Sequence, residues 1–171
     1  MKSAPQSERT HIILLGRCNS GKSSLINALT KQEMAIVSDI AGTTTDPVSK
    51  NMEIPGVGPC LLVDTAGFDD TSMLGKERLK KTKKVLSKTD MAVMVYRNAD
   101  ISEELEWVKR LASLHIPVIH VINEEGVPET TERIAEDIAR STHNHPLILN
   151  AKTSEGVEKL LNRITELKDD G

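Results

Sequence analysis

Residues 16–24, with the sequence GRCNSGKSS, combine glycines, a lysine and serines at the spacing of a loop that binds phosphate groups. The pattern is G-x-x-x-x-G-K-[ST], in which glycines let backbone N–H groups turn toward the phosphates. The lysine reaches the β- and γ-phosphates, and the following hydroxyl ligates Mg²⁺. The loop therefore predicts that a nucleoside triphosphate binds with Mg²⁺, but it does not specify the base. The residues assigned to this cradle are Gly16, Ser20, Gly21, Lys22, Ser23 and Ser24.

A second acidic element follows in the segment LLVDTAG, where Asp64 ends an apolar run and Gly67 comes three residues later. In phosphate-loop enzymes an aspartate at this place sits near the Mg²⁺. The Gly67 N–H is then placed to meet the γ-phosphate. The alternative is a strand-end aspartate that caps a turn.

Between these two motifs lies the polar segment AGTTTDP, with threonines at 43, 44 and 45. One of these hydroxyls would complete the Mg²⁺ shell and make the loop sensitive to the γ-phosphate. The alternative is that the three threonines are simply residues with a preference for extended structure.

The surrounding segments predict the elements that position these motifs. The apolar run HIILLG enters the phosphate loop as a buried strand, and KSSLINALT leaves it as a helix. Further strands are predicted at 48–54, 58–67, 91–96, 116–123 and 145–151, and helices at 74–90, 102–115, 129–142 and 154–167. Ser102 is the predicted cap of its helix. Strands that alternate with helices are typical of a mostly parallel sheet covered on both faces, and the early hairpin adds one antiparallel edge strand.

Composition limits the class of protein. The chain has 171 residues, enough for one domain with its own core, and a net charge of −3. No apolar run approaches the roughly 20 residues of a membrane span, and the first ten residues lack a secretory core. Two cysteines are too few for a disulfide framework, so a cytoplasmic, reducing location is expected. Aromatic residues make up only 2 %, which disfavours single-stranded nucleic acid as a partner.

Taken together, the glycine loop, GTTTDP and DTAG resemble the TrmE–Era–EngA group of GTPases. This resemblance implies a Ras-like α/β fold with three layers and a six-stranded, mostly parallel sheet, and GTP or GDP as the ligand. Residues 10–168 would form the GTP-binding domain and residues 1–9 a flexible lead.

The segment 36–82 is similar to the GTPase domain of the HydF family, which matures FeFe-hydrogenase. The residues that carry this similarity are Thr45 (where most of the group have arginine), Asp46, Pro47, Val48, Asp69, Asp70, Leu74 and Gly75.

The resemblance also implies roles for individual residues. Thr44 would be the threonine that senses Mg²⁺, with Thr43 and Thr45 beside it, and Lys22, Thr44 and Gly67 would carry catalysis. Asn19 matches an asparagine that helps bind K⁺ beside the phosphates, where an added cation stabilises the charge of the transition state. The alternative is that Asn19 is a plain polar residue tolerated by the loop. Because Phe68 stands where Ras-type enzymes have a glutamine that orients water, slow turnover is expected.

The segment expected to recognise guanine departs from the pattern Asn-Lys-x-Asp of this group. Asn123 is in place, but Glu124 replaces the lysine and Gly126 replaces the aspartate, while Glu125 is one residue early. Hydrogen bonds to a charged group contribute roughly 1.5–3 kcal/mol each, so losing two would weaken GTP binding about a hundredfold or more and relax its preference over ATP. The alternative is that a nearby carboxylate compensates.

Asn123 would retain a second role, which is to tie its loop to the phosphate loop. Asn150 replaces the serine of the Ser-Ala-Lys loop, whose Ala151 N–H would face the base, with Lys152 beside it.

The predicted helix at 74–90 is strongly basic. It is either a solvated face or a docking face for a partner or a neighbouring domain. Its charged residues are Lys76, Arg78, Lys80, Lys81, Lys83, Lys84 and Lys88.

The HydF family combines a GTPase domain with a dimerisation domain and an iron–sulfur domain. This chain contains no C-x-x-C, so we expect an isolated GTPase domain without an iron–sulfur cluster. Its expected partners are the missing domains, other hydrogenase maturation proteins and a second GTPase domain, with no membrane or nucleic acid.

Two further hypotheses stay open beside a slow, potassium-stimulated GTPase. The first is an interaction module that nucleotide binding alone switches. The second is a GTPase of tRNA modification or ribosome assembly from the same group.

Overall fold

The computed structural model describes residues 9–17, 20–31, 49–65, 80, 83–124 and 128–170. The described elements begin with a strand and a helix, continue with a β-hairpin and a further strand, and then alternate between helices and strands. The strands are β1 (Thr10–Leu15), β2 (Ser49–Ile54), β3 (Gly58–Asp64), β4 (Met91–Tyr96), β5 (Val118–Asn123) and β6 (Leu147–Leu149). The helices are α1 (Lys22–Thr30), α2 (Ser102–Ser113), α3 (Pro128–Thr142) and α4 (Val157–Asp170).

The strands form one six-stranded sheet in the order β2-β3-β1-β4-β5-β6. β1 pairs in parallel with both β3 and β4, and β5 pairs in parallel with β4 and β6. β2 is antiparallel to β3 and lies at the edge, because a Pro-Gly turn at residues 55–57 returns the chain directly. This arrangement confirms the predicted Ras-like α/β fold with one antiparallel edge strand.

Alternate residues of each central strand enter two separate apolar cores. Ile12 of β1 joins a core that also contains Leu29 of α1 and Leu160 of α4. The next residue, Ile13, joins a second core with Leu111 of α2. Side chains alternate across a strand, so a sheet buried on both faces needs apolar residues at successive positions. The uninterrupted run IILL in β1 meets that need.

Some local predictions are corrected. Ser102 is not the cap of α2: Ile101 occupies the N-cap position, and the Asp100 carboxylate accepts a hydrogen bond from the Ser102 N–H at 3.1 Å. A hydrogen bond that the carboxylate accepts from the Ser102 hydroxyl, together with this one from the Ser102 N–H, lowers the pKa of Asp100. β6 is shorter than predicted, and α4 begins at Val157 rather than at residue 154.

The basic segment at 74–90 is only partly described. Residue 80 and residues 83–86 are helical, and Lys80, Lys83, Lys84 and Lys88 are exposed. Among the described helices, none is long and apolar enough to cross a membrane.

Candidate nucleotide-binding site

The predicted site residues meet at the carboxyl ends of the parallel strands. The phosphate loop follows β1, Asp64 ends β3, Asn123 ends β5, and Ala151 lies just after β6. Parallel strands end at the same edge of a sheet, and open α/β sheets bind ligands in the crevice outside that edge. The fold thus brings together residues that are more than 100 positions apart in the chain.

The two glycines of the phosphate loop are required by geometry. Gly16 has a φ of +149° and Gly21 a φ of +98°, a region that residues with a side chain rarely adopt. A Cβ at Gly16 would lie 2.7 Å from the Val95 carbonyl oxygen and 2.8 Å from the Ser20 Oγ. At Gly21 it would collide with the Asn123 side-chain amide. The loop is therefore packed so closely that only glycine fits at either end.

Helix α1 begins directly behind this loop and directs its N-terminus toward it. Gly21 occupies the N-cap position without a side-chain cap, and the Leu25 N–H donates to the Gly21 carbonyl at 2.9 Å. The N–H groups of Lys22, Ser23 and Ser24 precede that bond, and the first N–H groups of a helix lack intrahelical acceptors. Such an end carries a partial positive charge and suits phosphate.

Lys22 lies inside the loop rather than in solvent, with only 3 % of its surface exposed. Its ammonium donates hydrogen bonds to the Gly16 carbonyl and, at 3.2 Å, to the Arg17 carbonyl. The start of the loop thus holds the ammonium group, which places a positive charge where the predicted phosphates would bind.

Ser23 and Asp64 provide a pair of oxygen groups beside the loop. The Ser23 hydroxyl donates to a carboxylate oxygen of Asp64 at 3.1 Å, and Asp64 is buried. The parallel register that sets Asp64 opposite Leu14 places the carboxylate next to the exit of β1. Hydroxyl and carboxylate oxygens are hard ligands of the kind that Mg²⁺ prefers, so this pair fits the predicted ion.

Asn123 contacts the phosphate loop, the place expected for its second role, and also the loop after β6, which was not predicted. Its side-chain amide donates to the Ser20 carbonyl at 2.9 Å, and its side-chain oxygen accepts from the Ala151 N–H at 3.0 Å. All three residues are buried. A contact between this Ala151 N–H and a base would therefore have to be shared with Asn123.

The loop after β6 is shaped by Asn150. Its side-chain oxygen accepts hydrogen bonds from the backbone N–H groups of Lys152 at 2.9 Å and Thr153 at 3.1 Å. Serine and asparagine side chains both carry an oxygen that accepts hydrogen bonds from backbone N–H groups. Asparagine can therefore close the same turn that the expected serine would close. The Lys152 side chain is exposed.

Several predicted residues lie outside the described part of the chain, so their roles stay predictions. They are Cys18, Asn19, Thr43, Thr44, Thr45, Gly67, Phe68, Glu125 and Gly126.

Two features of the site were not predicted. The Thr65 hydroxyl donates to the Leu14 carbonyl at 2.7 Å and joins the end of β3 to the end of β1. The Arg17 guanidinium, in the phosphate loop, contacts acidic residues at the start of α2. Each contact joins residues far apart in the sequence, which makes it hard to predict. The one local signal was the position of Thr65 directly after a buried strand, which places its hydroxyl near the end of the neighbouring strand.

Two buried titratable groups belong to the core. Burial raises the pKa of the Cys60 thiol to about 12, which keeps it protonated and unreactive. Burial lowers the pKa of His120 to about 4, and a ring nitrogen of His120 lies 2.8 Å from the Tyr96 hydroxyl.

Comparison with known proteins finds a matching family and similar sequences. Residues 11–150 match the family described as 50S ribosome-binding GTPase. The tRNA modification GTPase MnmE of Chromobacterium violaceum is 33 % identical over 163 residues, which cover 94 % of this chain and 35 % of that protein. MnmE of Prochlorococcus marinus is 33 % identical over 155 residues, 88 % of this chain and 33 % of that protein. The chain thus spans about a third of the length of these curated relatives.

Solved structures share the fold at lower identity. Aquifex aeolicus Era, in a crystal structure bound to GDP·AlF₄⁻, superposes with a TM-score of 0.70 at 23 % identity, covering 92 % of this chain and 56 % of that one. The FeoB G-domain of Methanococcus jannaschii gives a TM-score of 0.65 at 17 % identity, covering 94 % and 98 %.

Proposed function

This chain belongs to the 50S ribosome-binding GTPase family and is a P-loop GTPase domain of the TrmE–Era–EngA-like group. On that premise, we propose that it works as a slow, Mg²⁺-dependent GTPase switch. The observation that carries the proposal is the buried ammonium of Lys22, which is hydrogen-bonded to the Gly16 and Arg17 carbonyls at the start of the phosphate loop. Next to this loop, the hydroxyl of Ser23 is hydrogen-bonded to Asp64.

In the proposed reaction, water attacks the γ-phosphate, the bond to the β-phosphate oxygen breaks, and GDP and phosphate are released. Lys22 and the N–H groups at the start of α1 hold the charge of the phosphates. Ser23 and Asp64, with Thr44, would hold Mg²⁺, which supplies positive charge at the β- and γ-phosphates. Thr44 would sense the Mg²⁺ and the Gly67 N–H would meet the γ-phosphate, and the relaxation of their loops after phosphate release would make these loops a switch.

We further propose that Asn19 helps to bind K⁺ beside the phosphates. Phe68 has no polar atom with which to orient water, so the added cation would supply charge that the side chains do not. The test is turnover of GTP in potassium chloride against sodium chloride at equal ionic strength, for the wild type and for Asn19→Ala. We expect faster turnover in potassium for the wild type only.

The same measurement separates the switch enzyme from an interaction module without turnover. If the protein binds a fluorescent GDP analogue but hydrolyses GTP in neither salt, the enzyme hypothesis is contradicted and the interaction module is favoured. Lys22→Ala is the control that should lose binding itself, since it removes the charge inside the loop.

The biological process is proposed on a different observation. The residues Thr45 to Val48, together with Asp69 and Asp70, support a role in FeFe-hydrogenase maturation, because they match the HydF family. The identity to MnmE favours a second candidate, tRNA modification, since 33 % identity extends over 94 % of the chain. Deleting the gene that encodes this chain tests both roles. Loss of hydrogenase activity with unchanged modified nucleosides in tRNA supports the first, and the opposite result supports the second.

We propose that the partner, or a neighbouring domain, docks on the basic segment near residues 80–88. Lys80, Lys83, Lys84 and Lys88 are exposed there, and the segment follows the loop that carries Gly67. A nucleotide-dependent change in that loop would thereby reach the docking face. Charge-reversal of Lys83 and Lys84 should weaken association with the partner without changing nucleotide affinity.

A further inference from the structure

The guanidinium of Arg17, the residue after Gly16 in the phosphate loop, is turned toward helix α2. Its Nε lies 3.3 Å from a carboxylate oxygen of Glu104, and a terminal nitrogen donates to the Asp100 carbonyl at 2.8 Å. Glu103 approaches the Nε to 3.6 Å, but its side chain is 73 % exposed. The side chain of Arg17 is thus held by α2 and the residues that precede it.

Glu104 is an unusual residue for the inner face of a helix. Its side chain is only 3 % exposed, and the other buried residue of α2 is the apolar Leu111. Burial raises the pKa of the Glu104 carboxyl, while the Arg17 guanidinium opposes that shift. The pairing of a buried carboxylate with one arginine often fails to offset the cost of taking the charges out of water, so stability alone does not account for this pair.

The backbone of Arg17 shows what the pair holds in place. The Arg17 carbonyl accepts hydrogen bonds from the Ser20 N–H at 3.0 Å and from the Lys22 ammonium at 3.2 Å. One residue therefore connects the interior of the phosphate loop to α2, through its carbonyl on one side and its guanidinium on the other.

We infer that Arg17 and Glu104 act as a positioning pair, which fixes the phosphate loop in the form that binds nucleotide. This inference rests on the proposed function and deepens it. In this role neither side chain contacts the phosphates. The pair fixes the position of the Arg17 carbonyl, and this carbonyl in turn holds the Lys22 ammonium. Since α2 packs against β4 and β5, the sheet supplies the rigid support for the loop.

The test is the affinity of the purified protein for a fluorescent GDP analogue, measured for Arg17→Met, Glu104→Met and the double variant. Glu104→Met should raise Kd about tenfold, the scale of one lost hydrogen bond to a charged group, and Arg17→Met should raise it at least as much, because it also removes the hydrogen bond to the Asp100 carbonyl. The double variant should bind no more weakly than Arg17→Met, because Arg17→Met already removes the contact with Glu104. Glu104→Gln keeps an oxygen acceptor for the Arg17 Nε and should retain part of the affinity.

Two controls separate positioning from stability. Glu103→Gln removes an exposed carboxylate beside the same guanidinium and should leave Kd within twofold, since exposed ion pairs contribute little. Leu111→Ala weakens the same helix from its buried face and should lower Tm without changing Kd. Arg17→Met leaves a buried carboxylate without its partner, which can prevent folding. If Arg17→Met fails to fold, Glu104→Gln and the double variant still decide the test.

The outcomes are distinguishable. If the wild type binds GDP and the pair variants bind it equally well, the positioning inference is overturned and the proposed function stands. A loss of affinity in Leu111→Ala that matches Glu104→Met would also overturn it. Failure of the wild type to bind GDP would overturn the proposed function and this inference together.

Discussion

Replacing Asn123 with alanine tests whether the three loops of the site depend on one side chain. Asn123 is 2 % exposed, and its amide makes two hydrogen bonds, to the Ser20 carbonyl and from the Ala151 N–H. Alanine removes both bonds and leaves a buried carbonyl and a buried N–H without partners. It also opens a space next to Gly21, against which the amide packs.

The expected cost follows from those two groups. Leaving a buried donor or acceptor unsatisfied costs about 1–3 kcal/mol, so Asn123→Ala should lower the free energy of unfolding by about 2–6 kcal/mol. A domain is stable by about 5–15 kcal/mol, so a loss near the middle of this range leaves the variant folded. The nucleotide affinity should fall as well, because the phosphate loop loses its link to the loop after β6.

The assay is urea unfolding followed by circular dichroism, with a parallel titration of the fluorescent GDP analogue. Asn144→Ala is the matched control, because the Asn144 side-chain amide also donates to a backbone carbonyl, that of Thr142, but at an exposed site. It should cost less than about 0.5 kcal/mol. A loss from Asn123→Ala no larger than that of the control would refute the argument that this amide links the loops.

Three further predictions concern the metal, the base and pH. Ser23→Ala and Asp64→Asn should each raise the Mg²⁺ concentration needed for half-maximal GTP binding by about tenfold or more, and an unchanged requirement would remove both from the metal site. Gly126→Asp should raise the ratio of GTP to ATP affinity about a hundredfold by supplying the carboxylate that guanine recognition lacks, whereas an unchanged ratio would show that another group selects the base. The pKa of His120 is about 4 in the folded protein against 6.5 ordinarily, so the unfolded chain binds more protons below pH 6.5 and stability falls as the pH drops from there toward 4. Between pH 7 and pH 4.5 this protonation lowers the free energy of unfolding by about 2–3 kcal/mol, and His120→Gln should lack this loss. Identical plots of unfolding free energy against pH for the wild type and His120→Gln would contradict the prediction.

Much of the fold could be predicted from local patterns. The apolar run of β1, the glycine loop and the start of α1 follow one another in the sequence, and each constrains the next. The Pro-Gly turn at residues 55–57 likewise determined the antiparallel edge strand. The cap of α2 was mispredicted because Asp100, two residues earlier, has a longer side chain whose carboxylate reaches the Ser102 N–H.

The sequence by itself therefore determined the chemistry of the phosphate loop, because that chemistry depends on residue types at fixed short spacings. Only the tertiary structure decided how the loop is held. The contacts of Asn123 with Ser20, of Thr65 with Leu14 and of Arg17 with Glu104 join residues 51 to 103 positions apart. Such contacts leave no periodic signal, because they depend on strand order and register, which are set by the packing of the whole sheet.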